Sequence, residues 1–402
     1  MISKETAKYS LKNLYQKKSR SLLTIISIFV GITTIFIFIS FGWGLYDYVN
    51  EFTTASSADK VIIQAKGIGM PGLDDTFALT DEDLRVVEKT SGVYEASGVA
   101  FKVAEVTKGS EKKYTFLIGY DPKKPLIMEF YNIDIDKGRW LNSEEKNKVI
   151  AGYNYQIPNK IFSKAYDLND NLEVQGDKIK IVGFFESVGS PPDDAQLYVT
   201  NDFLEELYSN DTFSYGWIIA RVEVNKIDTV VENIEKNLRK SRGLEKGKED
   251  FFVQSFQDMM ATYSNVLNGI IGFIILIALI SVLVSAINTA NTMITSVIER
   301  IKEIGIIKSI GAKNSEVFNI FLFESGVLGF VAGVVGVLIG WVLSYFAGEL
   351  LSNLGWGFLS PHYSISLFVG CILFATITGA ISGAIPAYKA SKINPVDALR
   401  YE

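Results

Sequence analysis

Four long stretches of the 402-residue chain contain no charged residue, and they dominate its pattern of hydrophobic and polar positions. A helix needs roughly 20 apolar residues to cross the hydrocarbon core of a membrane, and each stretch has room for one such helix but not for two and a turn. The sequence therefore predicts four transmembrane helices. The charged residues that bound the stretches are Arg20 and Asp47, Asp258 and Glu299, Glu324 and Glu349, and Glu349 and Lys389.

The first stretch has an alternative interpretation as a secretory signal peptide. Its apolar run is longer than the roughly 7–15 residues of a signal core, and no small-residue cleavage site follows it. Trp43, Tyr46 and Tyr48 stand where aromatic side chains mark a membrane interface. We therefore interpret this stretch as a retained transmembrane helix.

Charge is distributed unevenly around the predicted helices. Residues 1–20 carry a net charge of +5, the segments 299–316 and 389–402 carry +1 each, and the segment 47–258 carries −11. Basic residues concentrate on the cytoplasmic side of membrane proteins, so both termini and 299–316 are predicted to be cytoplasmic and 47–258 extracytoplasmic. The expected location is the cell (cytoplasmic) membrane, as a multi-pass protein. The overall charge of −6 averages two compartments and gives no indication of nucleic-acid binding.

These features predict a membrane α-helical fold with a large α+β extracytoplasmic domain inserted between spans one and two. Within that domain, 171–187 has the alternation of a hairpin turning at Gly176-Asp177, Thr80 opens a helix with a capping-box pattern, and the strand-rich section 137–205 is interpreted as a subdomain. The predicted segments are 1–20 (cytoplasmic membrane-surface helix), 21–46 (span one), 47–258 (α+β domain), 259–298 (stalk and span two), 299–316 (cytoplasmic charged helix), 317–348 (span three), 349–363 (external loop), 364–388 (span four) and 389–402 (cytoplasmic tail).

The second charge-free stretch is too long for the membrane alone. Its 40 residues reach about 60 Å as a helix, whereas the hydrocarbon core is about 30 Å thick. Apolar residues at helical spacing lie along its outer end, so we expect this end to form a stalk that docks on a matching apolar stripe. Residues 46–57 are the candidate for that stripe. The stalk residues are Phe256, Met259, Met260, Tyr263, Val266 and Leu267.

Small residues recur at helical spacing in the last two predicted spans. This pattern lets helices approach backbone to backbone, in ordinary packing or at a specific interface, so both spans are expected to pack closely with a neighbour. The residues are Gly326, Gly329, Gly333, Gly336 and Gly340 in span three, and Ala375, Gly379 and Gly383 in span four.

The sequence lacks the residue combinations of common catalytic and metal sites. It contains no G-x-x-x-x-G-K-[ST] phosphate loop, no H-E-x-x-H motif and no Cys/His cluster. The single histidine, His362, and the single cysteine, Cys371, are interpreted as a solvated loop residue and an apolar packing residue. Nothing in the sequence separates the pKa values of the neighbouring carboxylates Asp193 and Asp194. We therefore expect a protein that is not an enzyme, without catalytic, cofactor-binding or metal-binding residues.

The segment between the second and third spans contains a short charged helix that Gly311 is expected to end. Its charges and its isoleucines at helical spacing suit a membrane-parallel helix that sits in a groove of another protein, and an ordinary loop is the alternative. The stretch ERIKEIGIIKSIGAKNSEVFNIFLFES resembles the signature of the FtsX-like permeases of MacB-type ABC transporters. The N-terminal AKYSLKNLYQKKSRSLLTIISIFVGI and the C-terminal PAYKASKINPVDALRYE are similar to the opening and closing patterns of the same family, as are KGRWL, KIKIVGFF and LYVT in the large domain.

The resemblance, which covers the whole chain, implies a homodimer, or a dimer with a close paralogue, that works with a separate MacB/LolD-like ABC ATPase. ATP and Mg would be bound by that ATPase, with no cofactor in this chain, and 299–316 would be the coupling helix. The residues implied in ATPase coupling are Glu299, Arg300, Glu303, Ile304, Gly305, Lys308 and Gly311. The residues implied in a transmembrane interface are Glu324, Gly329, Gly333, Gly336, Gly340, Gly379 and Gly383. Because Glu324 is costly in a membrane, we expect it to pair or to lie at an interface.

The implied function is mechanotransmission, in which ATP-driven movement reaches the external domain through coupling helix and stalk and drives export or extraction of a substrate at the outer face. Membrane lipid and an external accessory protein are further implied partners, and nucleic acid is not. The chain ends at Glu402 without a fused ATPase, so we expect the permease half alone. A signalling protein that controls an external partner such as a cell-wall hydrolase is the alternative, and a membrane-anchored enzyme is disfavoured because the sequence offers no nucleophile, base and metal ligands together.

Overall fold

A computed structural model describes residues 18–53, 58–66 and 78–400. The predicted membrane-surface helix at 1–20 falls almost entirely on residues 1–17, which lie outside the described ranges. The apolar stripe expected at 46–57 is described only as far as residue 53. Neither prediction is tested by the structure.

The described residues form two compact units. We call the first the helical unit and the second the α+β domain. The helical unit comprises the described residues within 1–45, 266–350 and 359–402, and the α+β domain comprises those within 46–265 and 351–358.

The elements alternate in type only within the α+β domain. The described helices are α1 (Lys18–Thr53), α2 (Asp81–Glu88), α3 (Leu126–Tyr131), α4 (Asn201–Leu207), α5 (Ile227–Ser241), α6 (Phe256–Glu299), α7 (Ile301–Ser309), α8 (Asn314–Asn353), α9 (Ile365–Ser391) and α10 (Pro395–Arg400). The described strands are β1 (Lys60–Ala65), β2 (Val93–Lys108), β3 (Glu111–Tyr120), β4 (Ile135–Gly138), β5 (Lys148–Ala151), β6 (Asn171–Val174), β7 (Asp177–Phe185), β8 (Leu197–Thr200), β9 (Trp217–Val222) and β10 (Phe251–Ser255).

Four of the described helices, α1, α6, α8 and α9, are long and apolar enough to cross a membrane. Most extend beyond the predicted spans because helical hydrogen bonding continues after the apolar stretch ends. The longest, α6, has 44 residues and so reaches about 66 Å. The predicted stalk is the first part of this helix, and it is continuous with the second span.

A single path of paired strands runs through the α+β domain. The order is β10-β1-β9-β2-β3-β8-β5-β7-β4, and β6 pairs with both β2 and β7. With 16 residues, β2 pairs with β9 along its first half and with β3 and β6 along its second half. The strand-rich section 137–205 therefore continues the sheet of the flanking sequence through β2 and β3.

The hairpin of β6 and β7 forms where the sequence predicts it. Its last strand pair is Val174 with Asp177, so Gln175 and Gly176 are the central turn residues, one position earlier than predicted. Both have positive φ, at 53° and 91°, as a type I′ turn requires. The hairpin prediction is confirmed, with this small correction of its centre.

Helices cover both faces of the sheet, and each face has its own hydrophobic core. The first core includes side chains of α2, α4 and α5, and the second includes α3 and the start of α6. The predicted cap of α2 is present, because the Thr80 hydroxyl accepts from the Asp83 amide and the Asp83 carboxylate accepts from the Thr80 amide. Phe256, the first residue of α6, is buried in the second core, so this helix is anchored in the α+β domain.

Candidate functional site

The short helix α7 has defined ends between two long helices. It begins after a break at Arg300, whose φ and ψ are −110° and 14°. It ends where the amide of Gly311 donates to the Lys308 carbonyl at 3.1 Å and the amide of Ala312 donates to the Ile307 carbonyl at 3.3 Å. This pair of hydrogen bonds is a Schellman motif, and Gly311 adopts the φ of +107° that the motif requires.

A buried ion pair fixes the beginning of α7. Arg300 Nη1 donates to Glu324 Oε2 at 3.1 Å, and both side chains are only 6 % exposed. Arg300 Nε donates to Glu303 Oε2 at 3.1 Å, and the guanidinium lies 5.1 Å from the centre of the Phe321 ring. Glu324, which the sequence leads us to expect in a pair or at an interface, therefore lies in a pair within this chain. Removing either member would break a buried ion pair, which is strongly destabilising.

The inner face of α7 is held by the C-terminal segment. Lys308 Nζ donates to the carbonyls of Ser391 and Ile393 at 2.9 and 2.6 Å. At Gly305 an added Cβ would lie 2.8 Å from the Cβ of Ala398 in α10, so the two helices touch where glycine leaves room. Since α10 packs directly on α7, the C-terminal segment is part of the same surface.

The structure places the implied ATPase-coupling residues on different sides of α7. Arg300, Ile304 and Gly305 are buried inside the helical unit, and Lys308 is occupied by carbonyls of the same chain. These four positions therefore contact the rest of this chain, and their implied part in ATPase coupling stays a prediction. The reason for their inward placement is helical phase, because the motif identifies the segment whereas the turn of α7 decides which side chains point inward. Of the remaining set, Glu299, Glu303 and Gly311 are exposed.

The outer face of α7 carries Glu303 of the implied set and three exposed residues that the sequence did not single out as contacts. Ile306 and Ile310 are 51 % and 83 % exposed, and Lys302 and Glu303 lie on the same face one turn earlier. On α10, the exposed large apolar side chains are Val396 and Leu399. We call the exposed side chains of α7 and α10 the coupling surface. The sequence signal for the α7 part of this surface is the pair Ile306 and Ile310. These isoleucines are four residues apart and lie on another side of the helix from the buried Ile304.

The glycines of α8 and α9 serve contacts within this chain. A Cβ added at Gly329 would lie 2.4 Å from the Ala375 carbonyl oxygen, and one added at Gly379 would lie 2.7 Å from the Ser325 carbonyl oxygen. At Gly383 an added Cβ would lie 2.1 Å from the Ser325 hydroxyl oxygen. The two backbones are therefore too close for side chains at these positions.

Further along α8 the same row of glycines turns to α1. At Gly333 an added Cβ would lie 2.8 Å from the Cβ of Ala375 in α9. At Gly336 it would lie 3.0 Å from the carbonyl oxygen of Phe29 in α1. At Gly340 it would meet the Phe36 side chain at 3.1 Å. The row thus passes from α9 to α1 and packs three helices of the helical unit together.

Outside the coupling surface, the paired carboxylates Asp193 and Asp194 lie in different environments. Burial raises the pKa of Asp194, which accepts hydrogen bonds from the Ser187 hydroxyl at 2.7 Å and the Val188 amide at 2.8 Å. Asp193 is exposed, so the two environments do differ, contrary to the expectation from sequence. Both oxygens of Asp194 are used to hold the loop, which favours a structural role. Among the described residues no three His, Cys, Asp or Glu side chains could hold a metal ion together.

Comparison with protein families gives two adjoining matches. The MacB-like periplasmic core domain family matches residues 21–237, and the FtsX-like permease C-terminal family matches residues 275–395. An uncharacterised ABC transporter permease of Methanocaldococcus jannaschii is 32% identical, over 98% of this chain and 97% of its own length. The uncharacterised ABC transporter permease YknZ of Bacillus subtilis is 25% identical over 99% of both chains.

Longer relatives and solved domains are also similar. The macrolide export ATP-binding/permease protein MacB of Chlorobium luteolum is 24% identical over 98% of this chain, which spans 59% of that protein. The crystal structure of the periplasmic region of MacB from Actinobacillus actinomycetemcomitans matches 52% of this chain and 94% of its own, with 14% identity and a TM-score of 0.41. The extracellular domain of YknZ matches with 16% identity and a TM-score of 0.39, over 48% of this chain and 99% of its own.

Proposed function

The chain belongs to the FtsX-like permeases of MacB-type ABC transporters, and we propose that it relays ATP-driven movement of a separate ATPase to its α+β domain. In this proposal the ATPase binds ATP and Mg, and this chain has no catalytic role. The permease acts as a homodimer, or with a close paralogue, in the cytoplasmic membrane. The output is export or extraction of a substrate at the outer face.

The observation that carries the proposal is the two-sided character of α7. Its inner face is tied to α8 by the Arg300–Glu324 pair and to the C-terminal segment by Lys308, whereas Ile306 and Ile310 face outward. Exposed apolar side chains beside charged ones are typical of a protein contact. A force applied to the outer face would therefore pass to the long helices instead of bending a loose loop.

The continuity of α6 supports the second half of the relay. This helix ends at Glu299, two residues before α7, and begins at Phe256 in the core of the α+β domain. A helix is stiff along its axis because each residue is hydrogen-bonded to the next turn. Movement at its α7 end would reach the α+β domain through one covalent element.

Charge supports the orientation. The segment 299–316 has a net charge of +1 and the segment 47–258 has −11, so the positive-inside tendency places the coupling surface in the cytoplasm and the α+β domain outside. An ATPase that uses cytoplasmic ATP would then meet α7 directly.

Photo-crosslinking tests the proposal. A photoreactive amino acid at Ile306 in the membrane-embedded permease should form an adduct with the co-expressed ABC ATPase, because this side chain is on the exposed face of α7. The same amino acid at Ser110, an exposed turn residue of the α+β domain, is the matched control and should form none. Absence of an ATPase adduct at Ile306, with the two proteins still co-purifying, would contradict the proposed contact.

A further inference from the structure

A cavity of about 410 Å³ lies inside the α+β domain, on the sheet face that carries α3 and the start of α6. Its lining residues all belong to this one domain. The volume is within the range of roughly 300–1,000 Å³ that small-molecule sites occupy. No part of the proposed relay requires such a space.

Aromatic rings make one wall of the cavity. Phe101 and Trp217 contact edge to face, with ring centres 4.6 Å apart and an angle of 70°, and Tyr131 lies 6.0 Å from Trp217. Such contacts hold the rings in place, so the wall is preformed. Met259 and Met260, consecutive residues of α6, also line the cavity and supply flexible side chains that can adapt to a ligand.

The cavity lining has few polar groups, and three of them are connected by hydrogen bonds. The Tyr198 hydroxyl donates to Gln196 Oε1 at 2.9 Å, and Gln196 Nε2 donates to Asp193 Oδ1 at 2.9 Å, so a chain of hydrogen bonds along the lining ends at a carboxylate. Tyr131 also lines the cavity, and its hydroxyl makes no hydrogen bond to another residue within the described ranges. Burial, and to a smaller extent the charge of Asp193, raises the pKa of both tyrosines, so both stay neutral.

The charge of the lining is one-sided. Asp193 is an exposed carboxylate, and no lysine, arginine or histidine of the described chain lines the cavity. Ring faces attract cations, and an adjacent carboxylate strengthens the attraction. An anionic ligand would meet only repulsion from Asp193, and a purely apolar ligand would leave the Tyr131 hydroxyl and the carboxylate unused.

We propose that this cavity is a binding site for a small amphiphilic cation, a molecule with an aromatic or aliphatic body and one positive charge. The body lies against Trp217 and Phe101 and against Met259 and Met260 of α6. The charge lies toward Asp193. Because Met259 and Met260 belong to α6, an occupied cavity stiffens the end of the helix that the relay uses. The site itself depends only on the α+β domain and not on the proposed function.

The test uses the full chain in lipid nanodiscs and the aromatic monocation tetraphenylphosphonium as probe, measured by equilibrium dialysis. Empty nanodiscs correct for partition into lipid. We expect saturable binding of one cation per chain, and at least tenfold weaker binding of the neutral analogue triphenylphosphine oxide. Equal binding of the two compounds would contradict a site that recognises charge.

Two variants locate the site. Asp193→Asn removes an exposed charge without disturbing the core, and we expect at least fivefold weaker binding that no longer responds to salt. Met260→Trp fills the cavity from α6 and should abolish saturable binding. The matched control is Asp177→Asn, at an exposed carboxylate in the β6–β7 hairpin, which should bind as the unmodified chain does. Saturable binding that survives Met260→Trp, or that is unchanged in Asp193→Asn, would overturn the proposal.

Discussion

The two units of this protein pack their elements differently. The α+β domain is filled by large side chains such as Phe130, Tyr155 and Phe184, each almost completely buried. In the helical unit, the long helices α8 and α9 meet where side chains are missing, as between Gly329 and Gly379. Water drives apolar side chains into a core, whereas lipid tails offer no such driving force, so membrane helices depend on close backbone packing.

The ion pairs around Arg221 and around Arg300 differ in exposure. In the α+β domain, Arg221 pairs with Asp59, Glu95 and Glu129 at positions that are roughly one third exposed. In the helical unit, Arg300 and Glu324 pair with almost no exposure. A partly solvated pair contributes little, whereas a buried pair is strongly destabilising to break. The Arg300–Glu324 pair is therefore sensitive to substitution, and it lies next to the coupling surface.

The largest effect should follow from breaking the buried pair. Glu324→Leu leaves Arg300 without its main counterion, and the helical unit should lose on the order of 3–5 kcal/mol of stability. The double variant Arg300→Met with Glu324→Leu should lose much less, because no buried charge remains. Hydrogen exchange of α7 and α8 peptides in nanodiscs measures both. If the single variant exchanges no faster than the double variant, the pair does not hold α7.

A smaller loss should follow from adding a side chain between α8 and α9. An added Cβ at Gly379 already lies 2.9 Å from the Cα of Gly329, so Gly379→Leu should force the helices apart and cost about 1–3 kcal/mol. Gly370→Leu on the same helix is the matched control, because nothing lies within 4 Å of its added Cβ. Thermal stability in detergent, followed by size-exclusion chromatography, compares them. Equal midpoints for the two variants would show that close backbone packing does not stabilise this unit.

The smallest effect concerns a partly exposed ion pair of the α+β domain. The Arg139 guanidinium, with Lys148 and the Asn142 amide, lowers the pKa of Glu145 from about 4.5 to about 2. A lowered pKa stabilises the folded state above the unfolded value, roughly 4.3, and this stabilisation is lost as the pH falls towards 2.

Glu145→Gln should therefore reduce stability near neutral pH by a small amount, since Arg139 is about half exposed, and the difference from the unmodified domain should shrink below pH 4. Exchange rates of β5 peptides between pH 6 and pH 3, corrected for intrinsic exchange, measure the difference. A stability difference between the two proteins that grows as the pH falls would contradict the lowered pKa of Glu145.

Much of the fold could be predicted from the sequence because its signals are local. Charge-free stretches define four helices, and alternation around Gly176 defines a hairpin. The path of the sheet could not be predicted, because it depends on β2 pairing with strands more than 60 residues away, such as β6 and β9. Long-range pairing leaves no periodic pattern in one sequence.

The candidate site was predicted as a segment but not as a surface. The motif marks 299–311, yet only the helical phase of α7 separates Ile304, which is buried, from Ile306 and Ile310, which are exposed. The part played by α10 was also missed, since the contact between Gly305 and Ala398 joins residues 93 positions apart. The ring contacts around Trp217 likewise depend on tertiary packing.

The central claim is that the exposed face of α7 binds the ATPase, and one affinity measurement tests it most directly. Ile310 and Ile365 are 83 % and 84 % exposed, so Ile310→Asp and Ile365→Asp change the same side chain at equal exposure in different places. Binding of the purified partner ATPase to the permease in nanodiscs should weaken at least tenfold, about 1.4 kcal/mol, in Ile310→Asp and remain unchanged in Ile365→Asp. Unchanged binding in Ile310→Asp would contradict the account.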